Sequence, residues 1–160
     1  RVNAAAGTDR RRAPGSPARR AEAADRFTRA RAPALEEGKR RDLVRSVLRL
    51  IEAPDLAPLF SAQARAEVAL SGRIVVDGAE RDVTGRIDRL FVEAGRVILC
   101  DFKTGRPPTE DAPLPEREAA QVALYARLAA AIWPDHAITA LLVWTSGPVV
   151  RRVEGSRPGL

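Results

Sequence analysis

The stretch that decides the fold is Thr84–Arg106, TGRIDRLFVEAGRVILCDFKTGR. Alternation and apolar content predict one strand from about Glu80 to Val92 and another from Arg96 to Phe102, with Glu93-Ala94-Gly95 as the turn between them. Strict alternation puts Val83, Gly85, Ile87, Arg89 and Phe91 on one face of the first strand, and Thr84, Arg86, Asp88, Leu90 and Val92 on the other. In the second, Val97, Leu99, Asp101 and Lys103 share a face whose first half is apolar.

Upstream, Glu67, Val68, Ala69 and Leu70 lead into Ile74, Val75 and Val76, and Asp77-Gly78 is a hairpin turn signal. A third strand therefore precedes the other two in an antiparallel meander, and Gly72 within it suggests a bulge or bend. Two helices come first. One is N-capped by Ser16, has Pro17 in its first turn and runs from Ala18 to about Ala30. The other starts at Ala34 and carries Leu43, Val44, Val47, Leu48 and Ile51 on one stripe, closed by Pro54 and Pro58. Downstream, four prolines within residues 104–115 predict a loop. A helix then runs from Glu116 through Gln121, Tyr125, Leu128 and Ile132 to Trp133-Pro134. Ile138–Thr145 reads as a buried strand and Val149–Val153 as an edge strand. The order ααβββαββ predicts an α/β or α+β sandwich with a mixed sheet.

At 160 residues the chain is long enough for one domain with a real core. The net charge of +6 is not spread over it: residues 1–20 hold six Arg against one Asp, leaving 21 basic and 20 acidic side chains for the rest. The excess belongs to residues 1–20 and not to the body; four of the six Arg fall in residues 1–16, read as a basic disordered end or linker able to meet phosphate backbones nonspecifically. One cysteine, Cys100, excludes an internal disulfide framework, and in its apolar run it reads as a buried thiol. No apolar window approaches the ~18 residues of a membrane span and no signal peptide is visible, which predicts a cytoplasmic protein. With no Met and Arg at position 1, the sequence is expected to be a piece of a longer chain. It lacks a Walker-type loop and a dinucleotide fingerprint, so it is not expected to be an ATPase by itself.

Asp88 and Asp101 lie on neighbouring strands, which run about 4.8 Å apart, so the two carboxylates can share a hard divalent cation such as Mg²⁺. Lys103, two residues past Asp101, falls on the same face roughly 6–7 Å along. Its ammonium can orient a water or stabilise charge developing on a phosphate. Gln121 and Tyr125, four apart, project from one helix face and can hold a phosphate or position Lys103. Glu67 is a further candidate ligand. The same residues also admit a plainer arrangement, a surface ladder in which Asp88 pairs with Arg86 or Arg89 and Asp101 with Lys103. His136, the only histidine, lies in a Pro-Asp-His loop and is expected to face solvent.

GRIDRL followed by ILCDFKTGRPP, then QVALYARLAAAIWP and ALLVWTSGPVV, resembles the RecB-type nuclease domain of the PD-(D/E)XK superfamily, and within it the carboxy-terminal domain of the AddA subunit of bacterial AddAB helicase-nucleases. The resemblance covers Pro17 to Val153, so the domain is placed at residues 17–155, followed by a tail at 156–160. It implies a restriction-endonuclease-like core and a Mg²⁺-dependent DNA exonuclease, with Mn²⁺ as the other metal, acting in recombinational repair of double-strand breaks. It also implies DNA, a helicase region of the same parent chain and an AddB-type subunit as partners. By resemblance Asp88, Asp101 and the backbone carbonyl of Phe102 bind metal, Lys103 is the catalytic lysine, and Gln121 and Tyr125 support the site and contact DNA. Glu67 falls where relatives often carry an acid. Relatives usually supply a metal-binding histidine from a helix upstream of the Pro17 position; residues 1–16 contain none. A catalytically impaired DNA-binding or subunit-docking module with the same fold is the alternative.

Overall fold

The computed structural model describes residues 17–76 and 78–153. Its elements are α1 (Pro17–Arg31), α2 (Glu37–Glu52), β1 (Arg65–Val76), β2 (Ala79–Glu93), β3 (Arg96–Lys103), α3 (Glu116–Ile132), β4 (Ala137–Trp144) and β5 (Val149–Arg152), with a 3-10 turn at Ala57–Phe60. The order ααβββαββ is the expected one. The predicted cap Ser16, the turn residue Asp77, the basic end 1–16 and the tail 156–160 lie outside the described residues. No described helix is long and apolar enough to cross a membrane.

The chain divides into two compact units, residues 1–44 and 45–160. In the first, Asp25 accepts hydrogen bonds from Arg29 Nε at 2.8 Å and from Arg40 Nε at 3.0 Å. These bonds, Arg29's first, hold the Asp25 carboxyl below its ordinary range. The buried Arg40 thereby ties α2 to α1, which itself buries no residue. Leu43, expected on the buried stripe of α2, is 44% exposed.

The second unit is a five-stranded sheet in the order β1-β2-β3-β4-β5. β1, β2 and β3 form an antiparallel meander, β4 runs parallel to β3, and β5 is antiparallel to β4. A parallel neighbour requires a crossover, and α3 supplies it. Its alanine- and leucine-rich sequence favours helix, Glu116 and Glu118 suit its positive end, and Pro134 follows its last residues. α3 covers one face of the sheet, where Ile87, Leu90, Val97, Leu99, Ala140 and Leu142 meet Val122, Ala126, Leu128 and Ala129. On the other face Leu50, Leu56 and Leu59 pack with Phe91, Ile98, Cys100, Leu141 and Val143.

Gly72 makes no bulge: it pairs in register with Val83, and a Cβ there would come 2.8 Å from Leu128 Cδ1. At Gly85 a Cβ would overlap the Tyr125 ring, 2.8 Å from its Cζ. The two glycines are the floor on which α3 rests. The irregularity of the hairpin lies elsewhere. Ala66 pairs with Arg89 and Val68 with Ile87, but Glu67 between them drops out of the ladder and has φ +53°. At the same level β2 abandons strict alternation, because Ile87 and Leu90 are buried in the same cluster while Phe91 faces the opposite one. The expected face assignment therefore holds up to Ile87 and is reversed beyond it.

Candidate active site

The kink in β2 coincides with the end of its ladder to β3, whose last rung is Arg89 with Cys100. One residue past that rung stand Asp88 and Asp101. Asp88 Oδ2 accepts a hydrogen bond of 2.7 Å from the backbone N–H of Phe102, so the carboxylate takes over the edge of β3 where β2 has let go. In a strand the N–H and C=O of one residue point to the same side. The Phe102 carbonyl therefore also faces the Asp88 side, while the Lys103 carbonyl turns to β4 and accepts from the Thr145 N–H at 2.9 Å.

Asp101 is 7% exposed. Its Oδ2 lies 2.6 Å from Lys103 Nζ, an ion pair that lacks hydrogen-bond geometry and leaves this buried oxygen with no hydrogen-bond donor. One rung of the plainer ladder, Asp101 with Lys103, is thus present. The other is not, since Asp88 takes the Phe102 amide and Arg86 goes to Glu67 at 3.5 Å. The Cys100 thiol senses both aspartates. Burial first, then the charges of Asp88 and Asp101, push its pKa up to about 12, so it is an inert core thiol.

On α3, Gln121 Nε2 donates to Tyr125 Oη at 2.9 Å, and the Tyr125 ring lies over Gly85. The pair thus sits on the same sheet face as Asp101 and Lys103, and among the described residues no hydrogen bond joins it to them. Glu67 is exposed beside Arg86, and no group of three His, Cys, Asp or Glu side chains able to hold a metal occurs among the described residues. His136 is half-buried, not solvent-facing: it sits in the turn closed by its N–H to Trp133 O at 3.1 Å, with Nδ1 buried and unpartnered.

Two carboxylates, one holding a buried oxygen without a donor, and a nearby backbone carbonyl form an all-oxygen donor set. It fits a hard divalent ion, which binds through one or two carboxylates and completes its shell with water and substrate phosphate. The site also draws on residues that sequence patterns left unassigned. The Arg89 guanidinium lies 5.6 Å over the Phe60 ring, and Phe60 stacks on Phe102 at 6.2 Å between centroids. Arg151 Nη1 donates to the carbonyls of Thr109 (3.3 Å) and Glu110 (2.9 Å), and Nη2 to that of Ala112 (3.2 Å). Ser146 Oγ donates to Gly105 O at 2.6 Å. The proline-rich loop that leaves Lys103 is therefore pinned by the β4–β5 hairpin. Only Gly85 carried a signal, a glycine inside an otherwise regular strand.

A family model described as the PD-(D/E)XK nuclease superfamily matches residues 3–158. The chain belongs to this superfamily. It is accordingly a nuclease-type hydrolase domain, of a superfamily whose members typically use divalent metal ions. Its mixed five-stranded sheet with three helices agrees with the PD-(D/E)XK fold. No curated protein matches the sequence. Among solved structures, one titled "Crystal structure of SSO0001" is 14% identical, with a TM-score of 0.40 over 81% of this chain and 61% of that one. The PD-(D/E)XK chain thus spans less than two thirds of the length of that structure.

Proposed function

We propose that this PD-(D/E)XK domain hydrolyses phosphodiester bonds of DNA as a Mg²⁺-dependent exonuclease, with Mn²⁺ as a substitute, inside a helicase-nuclease that processes double-strand breaks. The observation that carries the reading is the convergence of Asp88, Asp101 and Lys103 at the open end of the β2–β3 ladder, with a buried Asp101 oxygen lacking a donor. Asp88, Asp101 and the Phe102 carbonyl would hold the metal, which supplies Lewis acidity toward the phosphate and lowers the pKa of a water. Asp88 is oriented for this by the Phe102 N–H. Lys103 keeps its ammonium at the mouth of the site, where it meets the attacking water or the charge gathering on the phosphoryl oxygens. Gln121 and Tyr125, joined to each other, contact the DNA strand as a unit. The partners in this reading are DNA, a helicase region of the parent chain and an AddB-type subunit. The place of action is the cytoplasm, at the nucleoid.

The test is digestion of linear DNA in Mg²⁺ or Mn²⁺ by the purified chain and its Lys103→Ala form. Removal of a preorganised charge stabiliser costs about 10²–10³ in rate. Equal cutting by the two proteins sinks the catalytic assignment, and DNA binding without cleavage by the wild type favours the impaired module.

A further inference from the structure

The superfamily pattern accounts for an aspartate in β2 and for an acid and a lysine two apart in β3. It gives no role to the side chains of the residues beside them, Arg89 and Phe102, or to Phe60 in the 3-10 turn. We infer that Phe60, Arg89 and Phe102 are a brace that positions the Phe102 peptide, and through it the Asp88 carboxylate, so that Phe60 and Arg89 are positioning residues of the reaction proposed above. The inference rests on that reading.

The contacts form a closed circuit. Arg89 follows Asp88 in β2 and is the last residue of β2 still paired with β3. Its side chain leaves the α3 face and lies 5.6 Å over the Phe60 ring. Phe60 stacks on Phe102 with the ring planes 24° apart. Phe102 returns its N–H to Asp88 Oδ2 at 2.7 Å. Beyond the Arg89–Cys100 rung the Asp88 carboxylate stands in for the missing ladder bond, and the Phe102 side chain is the handle by which the opposite sheet face sets that peptide plane. A cation over an aromatic face and an offset ring stack are both directional, so they fix orientation as well as distance. The donor set thus depends on residues on the opposite side of the sheet from Lys103. Lys103, on the other side of the sheet, is engaged by Asp101.

The Phe102 amide proton reports on the brace without any metal or substrate. In the full chain, hydrogen exchange followed by NMR should show the Phe102 N–H exchanging at least about tenfold faster in Phe60→Leu and in Arg89→Met, with the amides of Phe91 and Ile98, farther along the same ladder, within about twofold of wild type. Phe60→Tyr keeps the ring and should restore wild-type exchange. In DNA digestion, Phe60→Leu should raise the Mn²⁺ concentration for half-maximal rate about tenfold, with a smaller change in the rate at saturating metal. Unchanged Phe102 exchange in both variants overturns the brace, whatever happens to activity. A lowered rate at saturating metal in Arg89→Met, with Phe102 exchange unchanged, likewise overturns it in favour of a direct DNA contact by Arg89. If the wild type cleaves nothing, the nuclease reading fails, and the exchange experiment still decides for or against the brace.

Discussion

Replacing Gly85 by alanine places a methyl group inside the volume of the Tyr125 ring, 2.8 Å from Cζ and 2.9 Å from Cδ1. The nearest ring atom, Cε1, is closer still; carbon atoms at rest are about 3.5–4.0 Å apart, so the ring has to recede by roughly 1.5 Å. Tyr125 is 7% exposed and hydrogen-bonded to Gln121, and the same helix face carries Val122, Ala126 and Leu128 into the core, so α3 cannot lift at one residue alone. Overpacking of this kind costs about 1–3 kcal/mol, from which the unfolded-state gain of about 0.4–1 kcal/mol for Gly→Ala is to be subtracted. The depth of the overlap puts the cost in the upper half of that range, a net of about 1–2.6 kcal/mol, and at about 2–4 °C per kcal/mol for a chain of this size the melting temperature should fall by roughly 2–10 °C. Gly72→Ala is the internal control. Its Cβ also meets an atom at 2.8 Å, but that atom is Leu128 Cδ1, the tip of a side chain that can swing about 30° off its rotamer for about 0.5–1.5 kcal/mol, so its effect should be close to nil. The assay is thermal unfolding of Gly85→Ala, Gly72→Ala, Tyr125→Leu and the Gly85→Ala/Tyr125→Leu pair. The double variant should be less destabilised than the sum of its singles by about 0.5–3 kcal/mol, because the smaller side chain vacates the space the methyl needs. Equal melting temperatures for the two glycine variants, or strict additivity in the cycle, would refute the packing of Tyr125 on β2.

Three further outcomes follow from the same contacts. Glu67→Gly should cost no stability, since relief of the left-handed backbone is worth about 1 kcal/mol and the exposed pair with Arg86 at most a similar amount, and it should leave DNA cleavage unchanged; a tenfold loss of cleavage would return Glu67 to the metal site. Arg151→Ala should free the carbonyls of Thr109, Glu110 and Ala112 and so speed limited proteolysis within residues 104–115, while Arg151→Lys, which loses the planar fork, should be intermediate; identical cleavage patterns in all three proteins would show that the loop holds itself. Asp25, with its pKa lowered by Arg29 and Arg40, stabilises the folded chain fully above its ordinary 3.8 and loses that contribution as pH falls through the lowered value; unfolding curves of wild type and Asp25→Asn should therefore converge on acidification below about pH 4, and a gap that persists there would assign the effect to packing.

The fold was legible in the sequence because each element announces itself locally. Alternation and the two glycine turns delimit β2 and β3, the prolines bracket the helices, and Glu116 with Pro134 brackets α3. The candidate site was legible for a related reason: an aspartate in one strand, an Asp-x-Lys in the next and a Gln-x-x-x-Tyr in the following helix have spacings that fix a shared face whatever the surroundings. What the pattern could not supply depends on distant pairing. Nothing near Phe60 says that its ring will find Phe102, or that Arg151 will gather three carbonyls from a loop preceding α3. Gly72 misled because a glycine in a strand reads equally as a bend and as a seat for another side chain, and only the position of Leu128 decides.

The point where alternation fails is also where the chemistry is proposed to sit, and the two facts have one cause. Had β2 alternated strictly through Asp88, its ladder to β3 would have continued, and the Phe102 N–H would have gone to a β2 carbonyl. Asp88 would then have stood over the sheet as an ordinary surface acid, free to pair with Arg86 or Arg89. The reversal between Ile87 and Leu90, matched across the hairpin by the left-handed Glu67, stops the ladder one residue early and hands that amide to the Asp88 carboxylate. It also turns Arg89 toward Phe60, and among the described residues no salt bridge joins Arg89 to Asp88. Glu67 bears the cost of a conformation that L-residues rarely adopt, and such outliers persist where the surrounding structure over-determines them. Here the over-determination comes from both sides of the kink: Val83 and Ile87 anchor β2 before it, and beyond it Leu90 packs in the same core as Leu99 while Arg89 lies over Phe60 on the other face.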